Sequence, residues 1–230
     1  MNPGYATILE IQQNMNGTRQ AVIHWPGGKT PLPGQYLQAF NPAEPDIPAA
    51  MSIFPGGLPD PDLPSDIWTT APSIPLSWSP ADQLLLRGPL GNGFTILEGP
   101  IRIALASFGE YSAYLLPIAG KILASKGEVA LYTDSPFPQM PTSIEVNPLS
   151  SLGDGIRWAD FLAGCTALER LPETRSILRK TGTLPISEVL ILSPMPCGAL
   201  AACGVCATRS AEGKIILICE EGPVIPWQKL

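Results

Sequence analysis

The feature that most constrains this chain is a set of four cysteines close to its C-terminus. They follow the spacing C-x5-C-x2-C-x12-C, at Cys197, Cys203, Cys206 and Cys219. Three thiols in one short loop and a fourth after an apolar run predict a metal site, because the plant-type [2Fe–2S] pattern is C-x4-C-x2-C followed by a distant cysteine. Glycine and alanine predominate between the first three cysteines, so that backbone N–H groups can turn toward the sulfur atoms. We therefore expect an iron–sulfur cluster, held by a first loop one residue longer than usual.

Two other interpretations of the cysteines remain open. Structural zinc prefers two C-x2-C pairs or a mixture of cysteine and histidine, whereas this chain has one such pair and a single, distant histidine, His24. The other alternative is disulfide-bonded or free thiols. A chain of 230 residues with five cysteines and no signal peptide is expected to be intracellular, where thiols stay reduced. The fifth cysteine, Cys165, has apolar neighbours and is expected to be an ordinary buried thiol.

The composition argues against several classes of function. A net charge of −6 with scattered lysines and arginines does not suit nucleic-acid binding, which needs a basic patch. No apolar run approaches the roughly 18–20 residues of a membrane span. A single histidine leaves one candidate base for triad chemistry, and the HExxH, GxSxG and P-loop motifs are absent, so a hydrolase is not expected. We expect a cytoplasmic protein.

Hydrophobic patterning divides the chain into three zones. Residues 1–97 contain short β-prone runs between Gly- and Pro-rich turns, which predicts a small antiparallel β-barrel or β-sandwich. Residues 98–193 contain apolar runs on either side of a segment with helical spacing, the βαβ pattern of a Rossmann-like α/β half. Residues 194–230 form the cluster-binding segment. The predicted helix is Tyr111–Ser125, and the predicted strands are Tyr5–Gln12, Gln20–Trp25, Gln35–Phe40, Ser73–Trp78, Gln83–Arg87, Ile101–Ala106, Glu128–Tyr132, Glu188–Leu192 and Lys214–Ile218.

Four motifs in this order resemble those of a known family. They are LPGQYL at 32–37, GPLGNGF at 88–94, PMPCGALAACGVC at 194–206 and CEEGPV at 219–224. The chain resembles the electron-transfer subunits of the two-subunit, NAD-dependent dihydroorotate dehydrogenases, which belong to the ferredoxin–NADP reductase superfamily. The GPLGNGF loop is the most specific N-terminal match, and the four stretches span nearly the whole chain.

The resemblance implies cofactors, contacts and partners. It implies a [2Fe–2S] cluster on the four cysteines, and an FAD contacted by Ser52 and by Gly91, Asn92, Gly93 and Phe94 of the GPLGNGF loop. It implies an oxidoreductase-type electron-transfer subunit in a hetero-oligomer. The implied partner is a redox subunit, such as an FMN-containing dihydroorotate dehydrogenase of pyrimidine biosynthesis.

Two departures fall on functional positions of that family. The barrel strand that normally carries a flavin-clamping arginine corresponds to residues 49–53, where Ser52 matches but no arginine is present, and a bidentate cation on a diphosphate is hard to replace. The glycine-rich first βα turn of the family becomes ASFGEY at 106–111, with Phe108 and Glu110 in place of glycines. An acid disfavours a phosphate at a helix N-terminus. NAD(P)H binding in the family manner, and independent NAD(P)H oxidation, are therefore not expected.

Two hypotheses of different kinds follow. The first is a working subunit that relays electrons between a flavin and a partner redox subunit through [2Fe–2S]. The second is a degenerate relative that kept the fold and the cluster, lost nucleotide chemistry, and serves as a structural, relay or sensing component of a larger complex. The four cysteines and the GPLGNGF loop favour the first, and the missing arginine and glycines favour the second.

Overall fold

The computed structural model describes residues 4–14, 17–44, 50–60, 62–135 and 140–230. The N-terminal half is a six-stranded antiparallel sheet with the strand order β4-β3-β6-β1-β2-β5. Its interior is apolar because alternate residues of each strand point inward, as in β1, where Ala6 and Ile8 are buried while Tyr5 and Leu9 are exposed. The strands are β1 Gly4–Gln13, β2 Arg19–His24, β3 Tyr36–Phe40, β4 Met51–Ile53, β5 Ile67–Thr69 and β6 Gln83–Leu90.

The two edge strands of this sheet are joined, which closes it into a barrel. Pro55, just after β4, forms an antiparallel bridge with Thr70, just after β5. Ala71 N–H donates to the carbonyl of Phe54 at 2.7 Å, and Gly56 N–H donates to the carbonyl of Thr69 at 2.9 Å. The expected antiparallel β unit is confirmed, and closure removes the exposed edges that an open sheet would present.

The C-terminal half is a second six-stranded sheet with the order β14-β11-β10-β7-β8-β9. Its strands are parallel except β14, which runs antiparallel at one edge. β7 and β10 are buried almost throughout, as expected of central strands covered on both faces. The elements are β7 Arg102–Phe108, α1 Ser112–Ala124, β8 Glu128–Thr133, β9 Ile144–Pro148, α2 Leu152–Trp158, β10 Phe161–Ala167, α3 Leu171–Lys180, β11 Ile186–Leu192 and β14 Val224–Pro226.

The cysteine segment lies between β11 and β14. It contains a two-stranded hairpin, β12 Ala207–Arg209 and β13 Ile215–Leu217, followed by the short helix α4 Ile218–Glu221. Single turns of 3₁₀ helix at Leu149–Ser151, Leu168–Arg170 and Trp227–Lys229 complete the described elements.

One sequence expectation is corrected. Ser73–Trp78 was expected to be a strand but is irregular, because Ser73 has φ of 124° and the chain turns there; the barrel uses the three-residue strands β4 and β5 instead. The run Val224–Pro226 forms the edge strand β14, in which Val224 and Ile225 are buried. No helix in the described ranges is long and apolar enough to cross a membrane.

The protein has two hydrophobic clusters, and the larger one extends across the boundary between the halves. A first cluster fills the barrel, and a second fills the space between the α/β sheet and its helices. The second cluster also contains Tyr36, Phe54, Ala71 and Phe94 of the barrel half. Tyr114 of α1 reaches across the boundary and donates a hydrogen bond from its hydroxyl to the carbonyl of Pro72 at 2.7 Å. The junction between the halves is therefore packed with side chains.

Candidate metal centre

The four cysteines converge because a hairpin folds the last of them back onto the loop. Ala207 at the start of β12 pairs with Leu217 at the end of β13. This register places Cys206 opposite Ile218, whose N–H donates to the carbonyl of Cys206 at 3.1 Å. Cys219 then follows at the start of α4. The antiparallel pairing of β12 with β13 thus brings Cys219 close to Cys206, although twelve residues separate them in sequence.

The thiols act on one another in two adjacent pairs. Cys203 is among the groups that lower the pKa of the Cys197 thiol, and Cys206 is among those that raise the pKa of the Cys219 thiol. All five cysteines of the chain are free of disulfides. Within the part of the chain that the structure describes, no three His, Cys, Asp or Glu side chains form a group that could hold a single metal ion. Two pairs of thiolates are the donor set that a two-iron cluster with four cysteine ligands requires, so the residues fit this group.

The loop between Cys197 and Cys203 directs backbone N–H groups at sulfur. Hydrogen bonds from the N–H groups of Ala202 and then Leu200 lower the pKa of the Cys197 thiol to about 6, and the thiol and N–H of Cys203 add to this effect. The loop takes this shape because residues 198, 199, 201 and 204 have φ between 55° and 71°. Successive N–H groups in such a turn form a concave anion site.

The other pair lies in an apolar environment. Cys206 and Cys219 are 2% and 9% exposed, whereas Cys203 lies on the surface. Burial raises the pKa of the Cys219 thiol to about 11, and the adjacent Cys206 sulfur raises it further, while the N–H of Ala201 opposes the shift. A metal ion bound here would replace these protons, since metal coordination deprotonates a thiol.

One residue near the cysteines was not predicted as part of this site. Arg87 in β6 donates a hydrogen bond from its guanidinium to the carbonyl of Gly198, immediately after Cys197. This contact links the barrel to the cysteine loop. The only sequence signal was that Arg87 ends a long interval without lysine or arginine, directly before the GPLGNGF loop.

The residues expected to contact FAD lie in the barrel half and are engaged within the chain. The amide of Gln38 in β3 donates to the hydroxyl of Ser52 in β4 at 2.7 Å. In the GPLGNGF loop, Asn92 N–H donates to the carbonyl of Gly222 at 2.8 Å, and Phe94 N–H donates to the carbonyl of Pro33 at 2.8 Å.

Other polar groups of the GPLGNGF loop also form hydrogen bonds within the chain. The side-chain amide of Asn92 donates to the carbonyl of Glu221 at 2.9 Å, and the carbonyl of Gly91 accepts from Gln35 at 3.1 Å. A Cβ on Gly93 would lie 2.8 Å from the carbonyl oxygen of Pro33. This loop therefore joins the barrel to the end of the cysteine segment.

Aromatic side chains fill the space between the two halves. The ring centroids of Tyr36 and Phe54 are 5.5 Å apart, and those of Phe54 and Tyr114 are 5.6 Å apart. Residues 50–53 contain no arginine, and Ala49 lies outside the described residues. The N–H groups of Asn92 and Phe94 are thus bonded within the chain, and β4 offers no arginine to the diphosphate of a flavin, so Ser52, whose hydroxyl keeps its own proton to donate, is the polar side chain left at this position.

The turn expected to hold a pyrophosphate lies at the carboxyl end of β7. This is the switch point between β7 and β10, where open α/β sheets bind ligands. The N–H of Gly109 donates to the carboxylate of Asp134 at 2.9 Å, and Arg170 donates to the other oxygen of Asp134 at 3.0 Å. A cavity of about 400 Å³ borders this turn, with Glu110 and Tyr111 in its wall. A carboxylate of the chain thus accepts the N–H group that a pyrophosphate would use in this turn.

Comparison with known proteins supports the resemblance seen in the motifs. No family model matches the chain. A probable dihydroorotate dehydrogenase B (NAD(+)) electron-transfer subunit of Thermoplasma acidophilum is 24% identical over 238 aligned positions, covering 97% of this chain and 89% of that protein. The dihydroorotate dehydrogenase B (NAD(+)) electron-transfer subunit of Caldanaerobacter subterraneus subsp. tengcongensis is 29% identical over 162 positions, covering 62% and 64%.

Solved structures share the fold. An NADH-dependent reduced ferredoxin–NADP oxidoreductase studied for flavin-based electron bifurcation has a TM-score of 0.71 at 16% identity, covering 97% of this chain and 88% of that one. Phthalate dioxygenase reductase, described as a modular structure for electron transfer from pyridine nucleotides to [2Fe–2S], has a TM-score of 0.60 at 10% identity, covering 99% and 77%. The chain is thus similar to dihydroorotate dehydrogenase B electron-transfer subunits over most of its length and shares the fold of ferredoxin–NADP reductase-like structures.

Proposed function

We propose that this protein is an electron-transfer subunit that holds a [2Fe–2S] cluster on Cys197, Cys203, Cys206 and Cys219. The observation that carries the proposal is the hairpin of β12 and β13, which folds Cys219 back onto the loop of Cys197, Cys203 and Cys206, with the N–H of Ile218 donating to the carbonyl of Cys206 at 3.1 Å. Such a cluster exchanges single electrons, and its potential depends on hydrogen bonds to sulfur and on solvent exposure. The chain supplies ligation, N–H donors and partial burial, and no acid–base chemistry is needed.

The proposed partner is a flavin-containing redox subunit similar to an FMN-containing dihydroorotate dehydrogenase. Support comes from the names of the relatives, which are electron-transfer subunits. The surface around the cysteines also has the character of an interface. Leu200, Val205 and Ile215 are 65%, 50% and 68% exposed, and exposed Cys203 lies among them in sequence. Exposed apolar side chains grouped at one site mark protein-binding surfaces.

We propose no role for a flavin or a nicotinamide bound by this protein in its electron transfer. The residues at their family positions are occupied within the chain, so electrons would enter and leave through partners at the cysteine segment. We place the protein in the cytoplasm, because five free thiols suit a reducing compartment.

Anaerobic purification tests the proposal. The native protein should contain iron and acid-labile sulfide in equal amounts, about two of each per chain, and a flavoprotein should co-purify in stoichiometric amount and be reduced or oxidised by it. Zinc without sulfide would overturn the cluster. A loaded cluster that exchanges electrons with no co-purifying protein would leave the second function, a structural or sensing component. That function is favoured by the occupied nucleotide turn at Gly109 and Asp134.

A further inference from the structure

Tyr36 presents a hydroxyl group that has no hydrogen-bond partner in the described structure. The residue lies at the start of β3 and is fully buried. Leaving a phenol hydroxyl buried and unpaired costs about 1–3 kcal/mol relative to pairing it, and buried polar groups of native proteins are almost always satisfied. An orphaned donor in this position indicates an acceptor that belongs to the assembled site.

Among the described residues, the charges that act on Tyr36 are those of Cys219, Cys206 and Cys197, together with the cation of Arg87. The ring also lies against the segment that follows Cys219, because a Cβ on Gly91 would meet both Cε1 of Tyr36 and Cδ of Pro223. Three of the four proposed ligands thus lie within electrostatic range of one buried donor. Burial, with the nearby Cys219 next in effect, raises the pKa of the Tyr36 phenol to about 12, so the hydroxyl keeps its proton at any physiological pH.

Packing holds the ring in this place. Phe54 covers one side at 5.5 Å between ring centroids. On another side the chain approaches so closely that a Cβ on Gly91 would lie 2.9 Å from Cε1 of Tyr36 and 2.4 Å from Cδ of Pro223. The ring is therefore held between the barrel and the segment that follows Cys219, which fixes the position of its oxygen atom.

We propose that the hydroxyl of Tyr36 donates a hydrogen bond to a sulfur atom of the cluster and thereby raises its reduction potential. The inference rests on the proposed function, since it requires the cluster. A hydrogen bond to sulfur strengthens as negative charge accumulates on reduction, and so it stabilises the reduced form. Tyr36 is a positioning and tuning residue of the site and takes no part in ligation.

The test compares two buried tyrosines, one whose hydroxyl has no hydrogen-bond partner within the chain and one whose hydroxyl has a partner. Tyr36→Phe removes the orphaned hydroxyl and keeps the ring. Tyr114→Phe removes a buried hydroxyl of the same aromatic group, but one that already donates to the carbonyl of Pro72 and is acted on by Cys165 instead of the four ligands. Spectroelectrochemical titration of the purified protein should give a lower midpoint potential for Tyr36→Phe and an unchanged one for Tyr114→Phe. Equal shifts, or no shift in Tyr36→Phe, would overturn the inference.

A second measurement uses the unaltered chain. The ultraviolet resonance Raman spectrum of tyrosine reports whether its hydroxyl donates a hydrogen bond. On reconstitution of the cluster in the metal-free protein, one of the five tyrosines should change to the donor state. No change in a protein that carries the cluster refutes the role of Tyr36 and leaves the proposed function intact. A native protein without iron and sulfide refutes the proposed function itself.

Discussion

The substitution Gly91→Ala, which adds one methyl group, tests how the barrel is joined to the cysteine segment. The residue has φ of 74°. A Cβ built on it would lie 2.4 Å from Cδ of Pro223, 2.8 Å from the carbonyl oxygen of Gly222 and 2.9 Å from Cε1 of Tyr36. Two of these three neighbours belong to the segment directly after Cys219, so Gly91→Ala should displace that segment or the ring.

The magnitude follows from two separate costs. An alanine in the left-handed region costs about 1–2 kcal/mol of folding free energy relative to glycine. Forcing an extra carbon into a packed site adds about 1–3 kcal/mol. Gly99 offers a matched control, because its φ is 82° and a Cβ there would meet nothing within 4 Å. Gly91→Ala should therefore lose about 2–5 kcal/mol, and Gly99→Ala only about 1–2 kcal/mol.

Urea unfolding under anaerobic conditions measures the difference. The free energy of unfolding in water is obtained by linear extrapolation for both variants and for the unaltered protein. The rate at which visible absorption is lost in dilute urea gives a second readout, which Gly91→Ala should accelerate and Gly99→Ala should leave nearly unchanged. If the two variants are equally stable and retain the chromophore equally well, the close contact between Gly91 and Pro223 does not hold the cysteine segment in place.

Three further predictions concern the cysteines and the nucleotide turn. Serine at any one of the four proposed ligands should lower iron and acid-labile sulfide content, while Cys165→Ser should retain both; loss of iron in Cys165→Ser would contradict the assignment. Calorimetric titration with NADH should show no binding, because Asp134 occupies the anion position of the turn, and micromolar affinity would contradict this reasoning. In the metal-free protein, Cys197 with its pKa lowered to about 6 should be alkylated at neutral pH well before Cys219 with its pKa raised to about 11. Labelling of Cys197 should slow as pH falls through 6, and a midpoint near the ordinary thiol value of about 8.5 would count against the N–H donors.

Local hydrophobic patterns predicted the helices and strands whose buried residues follow a regular spacing or a continuous run. The strand Glu128–Tyr132 and the helix Tyr111–Ser125 agree with β8 and α1 to within one residue at each end, because continuous apolar runs and helical spacing reflect burial directly. β10 was missed although all of its residues are buried. Its Gly, Cys, Thr and Ala have no clear period, and its strand pairing with β7 and β11 is decided by neighbours distant in sequence.

The candidate site, like the fold, was predicted from the sequence only where it depends on local properties of the chain. Residue type and spacing identified the four candidate ligands, since thiols and small neighbours are local properties of the chain. The resemblance implies that residues 91–94 contact a flavin, which stays a prediction; in the structure the N–H groups of Asn92 and Phe94 are bonded to the carbonyls of Gly222 and Pro33. A sequence motif can specify the conformation of a loop. The tertiary structure then determines which acceptors the N–H groups of that loop bind.

The sequence by itself determined the order of a β-barrel, an α/β half and a cysteine segment, together with the residue types available for binding a metal, because these follow from patterning and local chemistry. Tertiary structure alone decided which thiols pair, through the register of β12 with β13. It also decided that aromatic side chains fill the junction between the halves, and that the buried hydroxyl of Tyr36 has no hydrogen-bond partner. Contacts between residues far apart in the chain depend on the packing of whole elements, and no short stretch of sequence carries that information.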